Sequence, residues 1–266
     1  MKRNIALWKW ILLFILSLAL GLLGMGLSEA FHHWTGSAWG VVLGSAILLA
    51  LYYGAVRLIE RQPVADLPLR RLAPDMCGGL LIGALFMAAV VGLIAAFGCA
   101  HFSTPGDATG SEMLTAFLLG IGVAVREEVL FRGILFRWID EKWGLVPALI
   151  VSGLLFGFLH LANPGATVWS SIAISIEAGL MLGAAYKWSG TLWLPIGIHW
   201  AWNYVQGSVF GISVSGGEAS RSIIKTIMDG PELITGGAFG AEASIITVIL
   251  GAALSALFLY LYSRKH

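Results

Sequence analysis

The sequence is short of charge. Only 12% of its 266 residues are Asp, Glu, Lys or Arg, while 58% are hydrophobic. A soluble domain of this length would carry about twice that charge fraction, so composition argues against a water-soluble fold. The two cysteines, Cys77 and Cys99, lie near opposite ends of one apolar run. Roughly 30 Å would separate them in a helix, too far for a disulfide, and they form no metal-binding spacing. Low-complexity tracts and convincing internal repeats are absent. A net charge of +1 gives no reason to expect nucleic acid or an acidic partner. No His-Glu-x-x-His occurs, so the commonest zinc-peptidase signature is missing.

What is there is apolar length. Mean hydropathy is +0.85, and apolar runs cover about 5–27, 38–56, 77–100, 113–140, 145–161, 168–188, 192–210 and 243–261. In lipid every backbone polar group must be bonded internally, which makes these runs helices. Lys and Arg collect at the N-terminus, in 57–71, in 126–142, at Lys187 and at the C-terminus. The loops 28–37 and 101–112 hold neither, and 211–241 holds only Arg221 and Lys225. Cytosolic loops attract such charge. The pattern predicts an all-α, polytopic integral membrane protein of about eight transmembrane helices, with both termini cytosolic. A single membrane domain over 1–266 is expected, with N-terminal helices in 1–112, a core in 113–211 and a last helix at 242–262. The Gly- and Ser-rich stretch 211–241 is too long for a turn and reads as a lid or re-entrant element.

One cluster is out of place in such a chain: Arg126-Glu127-Glu128-Val129-Leu130-Phe131-Arg132-Gly133. An ionisable group at membrane depth costs at least about 2.5–3.5 kcal/mol, so it usually lines a protein interior or a wet cavity. On a helix, Glu128 and Arg132 share a face and can pair, while Glu127 points about 100° away. One carboxylate then looks structural and the other available for chemistry. The alternative, a helix end reaching the headgroups, stays open on this stretch alone. Two further runs carry polar groups that lipid would reject. His160 closes the fifth, and His199 and Asn203 lie four apart on one face of the seventh. Counted from the cytosolic ends, Glu127 lies roughly 15–20 Å deep, His160 roughly 20–24 Å and His199 roughly 10–12 Å. That spread permits convergence without establishing it. Together the residues suggest a hydrolytic set: a carboxylate base, imidazoles to position water or polarise a carbonyl, and an amide donor for an oxyanion. Glu177, inside the sixth run, reads as structural, and Gly179 with Gly183 as a close-packing pair.

Glu127-Glu128-x-x-x-Arg132, Phe156-x-x-x-His160 and His199-x-x-x-Asn203 resemble, in order and spacing, the three motifs of the CPBP family. That family joins the type II CaaX-prenyl proteases to bacterial bacteriocin-processing and self-immunity (Abi) proteins. The resemblance covers about 113–211, and residues 192–198 before His199 are also similar. Gly230-Pro231 and the stretch 235–240 are similar to a segment of some bacterial members, with no role attached. The resemblance implies an intramembrane endopeptidase in a cell membrane, most simply a bacterial one, with a cavity opening toward the cytosol. It makes Glu127 the base that activates water, with His160 helping to hold that water. His199 and Asn203 become the oxyanion donors, and Glu128 with Arg132 the supporting pair. The implied partner is a peptide or protein substrate, lipidated or membrane-bound, alongside the bilayer itself. No cofactor is required by this chemistry. The alternatives are a zinc metalloprotease using the same residues as ligands, and a non-enzymatic membrane scaffold or regulator. Two His and a Glu would suffice for zinc, but Asn is a poor zinc ligand.

Overall fold

A computed structural model describes residues 7–103, 106–219 and 221–265. Lys2 and Arg3, which the charge pattern assigned to the cytosol, lie outside them. The chain runs α1 (Leu7–Thr35), α2 (Ala38–Gly54), α3 (Leu69–Ala96), β1 (Ala100–Ser103), α4 (Gly110–Glu128), α5 (Arg137–Trp143) and α6 (Leu145–Leu159). It continues through α7 (Val168–Ile174), α8 (Met181–Ser189), α9 (Trp193–Tyr204), β2 (Lys225–Met228), α10 (Glu232–Thr235) and α11 (Ile245–Ser263). Stretches of π-helix bridge α4 to α5 (Val129–Phe136) and α7 to α8 (Ser175–Leu180), and extend α9 (Val205–Val209). Among the described residues the fold is all-α apart from one two-stranded antiparallel ribbon, in which Ala100 pairs with Met228 and Ser103 with Lys225. That ribbon was not foreseen in 211–241.

Local chemistry sets the starts. Thr109 and Glu112 form a reciprocal capping box at the head of α4, Thr167 and Ser170 another at α7, and Ser244 caps α11. Among the described residues six helices are long and apolar enough to cross a membrane: Ile11–Thr35, Ala38–Ile59, Leu69–Ala96, Leu145–Ala162, Val168–Ser189 and Ile245–Ser263. The expected count of about eight is not reached on that criterion. The two shortfalls, α4 and α9, are two of the three helices with polar motifs. The charged cluster interrupts the apolar run of α4, and α9 with its π extension ends at Val209. The third helix also begins earlier than expected, so Arg70 and Arg71 belong to α3 and not to a connector.

The bundle has two distinct ends. At one, the connector after α2 meets the α5–α6 and α8–α9 turns. Arg137 Nη1 and Nη2 each donate to Glu60 at 2.8 Å, Lys187 Nζ donates to Asp140 at 2.5 Å, and the Leu192 amide donates to the Asp66 carbonyl at 2.8 Å. This is the basic end. At the other lie the ribbon, the α6–α7 turn and the 211–244 segment. There Gly106 N–H donates to the Ile223 carbonyl, Arg221 pairs with Glu112 and Asn163 Nδ2 donates to the Ser215 carbonyl. This is the ribbon end.

Glycine lets the site-bearing helices touch at backbone level. A Cβ on Gly79 or Gly83 of α3 would lie 2.4 Å from the Leu194 carbonyl oxygen or 2.2 Å from that of Ile198 on α9. Gly179 packs in the same way against Gly153 of α6, where an added Cβ would meet the Gly153 Cα at 2.6 Å. Small residues at such crossings are how helices associate without a hydrophobic drive between them.

Candidate active site

The polar residues of α4, α6 and α9 converge on one cavity of about 490 Å³, within the range of small-ligand sites. Glu128 is fully buried and sits between two partners. Arg132 Nη1 donates to its Oε1 at 2.8 Å, and His199 Nδ1 lies 2.9 Å from the same oxygen. An ionised carboxylate can only accept, so that imidazole nitrogen carries the hydrogen and Nε2 is turned to the cavity. Arg132, 1% exposed, spends its other donor Nη2 on the Ala178 and Gly179 carbonyls at 3.0 and 3.3 Å. Both carbonyls belong to the π-helical stretch 175–180, where the widened turn frees acceptors that an α-helix would use itself. The guanidinium also lies 4.7 Å from the Phe156 ring centre. The pairing expected at i,i+4 is therefore present, and it carries His199 with it.

Glu127 is placed differently. Its side chain is 26% exposed, its Oε2 has no hydrogen-bond partner, and that oxygen is 3.9 Å from His199 Nε2. His160, on the 3₁₀ turn that ends α6, uses Nδ1 on the Phe156 carbonyl at 2.7 Å. With Nδ1–H donating there, Nε2 keeps its lone pair for the cavity. Asn203, one turn beyond His199, lines the same space. Arg126 turns away and pairs with Glu29 of α1 at 2.7 Å.

The depth estimate had left His160 too deep beside Glu127 and His199, yet all three line one cavity. The α9 helix starts among buried residues. Leu192 and Trp193 are buried against the folded-in connector, Trp193 Nε1 donating to the Pro68 carbonyl at 3.2 Å. Beneath them Asp66 accepts from the Tyr52 and Tyr186 hydroxyls. Burial pushes the Asp66 carboxyl up, and those hydroxyls with Arg137 hold it back.

Two residues in the site carried no expectation. Ser215 lines the cavity with a backbone φ of +48°, rare for a residue with a Cβ. Its amide and hydroxyl both donate to Glu242, and its carbonyl accepts from Asn163. Glu242, 3% exposed, lines a small adjoining cavity together with His160, His199 and Asn203. A lone acid in a Gly-rich stretch was the only signal in the sequence. Burial pushes the Glu242 carboxyl up to about 7 from an ordinary 4.5, against the Ser215 hydrogen bonds and His199, with Glu127 adding to the rise. An acid whose native value is raised stabilises the fold while protonated. That contribution is complete below about 4.5, shrinks as pH rises and is gone above about 7. Purified protein should lose melting temperature across that window, and Glu242→Gln should flatten the slope. A slope unchanged by the substitution would assign it to other groups. Glu177 is fully buried with both oxygens unpartnered, and the cavity does not reach it.

Residues 109–205 match the family model described as Rce1-like, Type II CAAX prenyl endopeptidase Rce1-like. Over that segment the chain is similar to the Rce1-like proteins. The match opens on the Thr109 cap of α4 and closes one residue past α9, so it takes in Glu127, Glu128, Arg132, His160, His199 and Asn203. Ser215 and Glu242 fall outside it. No curated protein and no solved structure matches the chain.

Proposed function

We propose that the cavity is the active site of an intramembrane endopeptidase that hydrolyses a peptide bond by direct attack of water. The observation that carries this is the unpartnered Glu127 Oε2 facing His199 Nε2 across 3.9 Å, beside His160 and Asn203. The similarity of residues 109–205 to Rce1-like endopeptidases supports the reaction class. Glu127 takes a proton from water as the oxygen attacks the carbonyl carbon, and the His160 Nε2 lone pair accepts the water's second hydrogen bond. Negative charge then develops on the carbonyl oxygen. Asn203 Nδ2 and a protonated His199 Nε2 donate to it, and such preorganised donors act strongly where water is excluded. Glu127 returns its proton to the leaving amine, which closes the cycle. Glu128 and Arg132 do not touch the reacting atoms. They hold the His199 ring in one orientation.

Zinc would have to be held by Glu127, His160 and His199. Among the described residues no three His, Cys, Asp or Glu side chains are grouped as a metal needs, and an amide is a poor fourth ligand. The water mechanism therefore fits the donor set better. Purified protein should keep its activity through prolonged treatment with a strong chelator. Asn203→Ala should cost on the order of 10²–10³ in turnover with binding little changed. Activity lost on chelation and restored by zinc alone would overturn the mechanism, and Glu127, His160 and His199 would become ligands.

A further inference from the structure

The cavity has its mouth at one end of the bundle. From Glu127 and His199 its lining runs outward through Gly120 and Ala116 of α4 and Gly207 after α9 to Pro164, Ser215 and Glu218. Ala116 lies eleven residues before Glu127, about 16 Å nearer the ribbon end. Among the described residues, none of the lining lies toward the basic end. The charge pattern marks the same two ends. Arg57, Arg61, Arg70, Arg71, Arg137, Lys142, Lys187, Arg264 and Lys265 sit at the end away from the mouth. At the ribbon end the Lys and Arg residues are Arg221 and Lys225, and Arg221 is spent on Glu112 at 3.1 Å. Short loops rich in Lys and Arg stay in the cytosol, and this sets orientation more than net charge does. Cytosolic termini and a cavity open to the cytosol were both expected, and this fold does not allow the two together.

We infer that the cavity is entered from the non-cytosolic face, and that its substrate is a peptide segment presented there. Such segments are the leader or juxtamembrane stretches of exported or membrane-anchored polypeptides. A lipidated C-terminus on the cytosolic leaflet would meet the closed end, where α9 rests on the buried connector. Glu218 lies on the rim of the mouth, and Asp107, Asp229 and Glu232 lie at the same end of the bundle. Long-range fields of this sign favour neutral or basic peptides over acidic ones. The inference rests on the peptidase reading of the same cavity, but the side of entry can be measured without activity.

The test combines labelling with mapping of cleaved ends, using the full chain in a bacterial host membrane. In a Cys77→Ser/Cys99→Ser background, Glu218→Cys marks the mouth and Arg264→Cys the basic end. A membrane-impermeant maleimide should label Glu218→Cys in intact cells, and Arg264→Cys only after permeabilisation. The reverse pattern overturns the inference whatever the activity. In parallel, new polypeptide termini made by the wild type and absent in Glu127→Gln should map to non-cytosolic segments. Termini confined to cytosolic segments would overturn the substrate class. Outside labelling with no Glu127-dependent termini would leave the side of entry standing and sink the peptidase reading instead.

Discussion

Glu127→Gln is expected to abolish hydrolysis and leave the folded protein unchanged. The substitution keeps side-chain volume and removes only the capacity to take a proton. Glu127 Oε2 has no hydrogen-bond partner to lose, so melting temperature should stay within experimental error of the wild type. General-base catalysis contributes about 10²–10⁴ in rate, and turnover should fall by at least that factor. Binding of an uncleaved peptide analogue should be retained. Two outcomes would sink the assignment. One is activity within tenfold of wild type. The other is a large drop in stability, which would make Glu127 a structural residue.

Glu128→Gln should show the opposite signature, with loss of fold stability preceding loss of activity. Arg132 is 1% exposed and Glu128 is its carboxylate partner at 2.8 Å. Removing one member of a buried ion pair strands the other charge, at a cost of about 3–5 kcal/mol. A packed apolar pair of similar volume is often no worse than the ion pair it replaces. The double change Glu128→Gln/Arg132→Met should therefore recover much of the lost melting temperature. It should not recover turnover, because the hydrogen bond from His199 Nδ1 to a full carboxylate is gone. Equal recovery of both would mean that His199 orientation does not depend on Glu128. No stability change in the single variant would mean that Arg132 finds enough in the Ala178 and Gly179 carbonyls and the Phe156 ring.

These two variants separate neighbours in sequence because their surroundings differ in space. The sequence marked the split by helical angle: Glu128 and Arg132 lie four apart and Glu127 about 100° aside. That inference was local and needed only the period of a helix. It could not say that Glu128 also holds His199, 71 residues away, because that contact depends on where α9 begins. Counting residues from a presumed membrane surface put His160 too deep to meet the other two. The folded-in connector around Asp66 buries the start of α9, and nothing in the hydropathy of 57–71 reports that. The Ser215–Glu242 contact was hidden for a related reason. A Gly- and Ser-rich stretch has no period, so its return path across the cavity is set by single hydrogen bonds, such as Asn163 to Ser215.

By itself the sequence determined the solvent this chain lives in, the uneven charge of its loops, the pairing of Glu128 with Arg132 and the residues that carry polar groups in apolar helices. Each is a matter of composition, or of spacing within one helix, where neighbours along the chain are neighbours in space. Only the tertiary structure decided that Glu127 stands unpaired while Glu128 is enclosed. It also decided that Ser215 and Glu242 back the site, and that the cavity opens away from the basic loops. Those outcomes depend on how deep each helix starts and on which end the connecting segments fold across. Both are set by backbone contacts such as Gly79 and Gly83 of α3 against α9, which join segments more than a hundred residues apart.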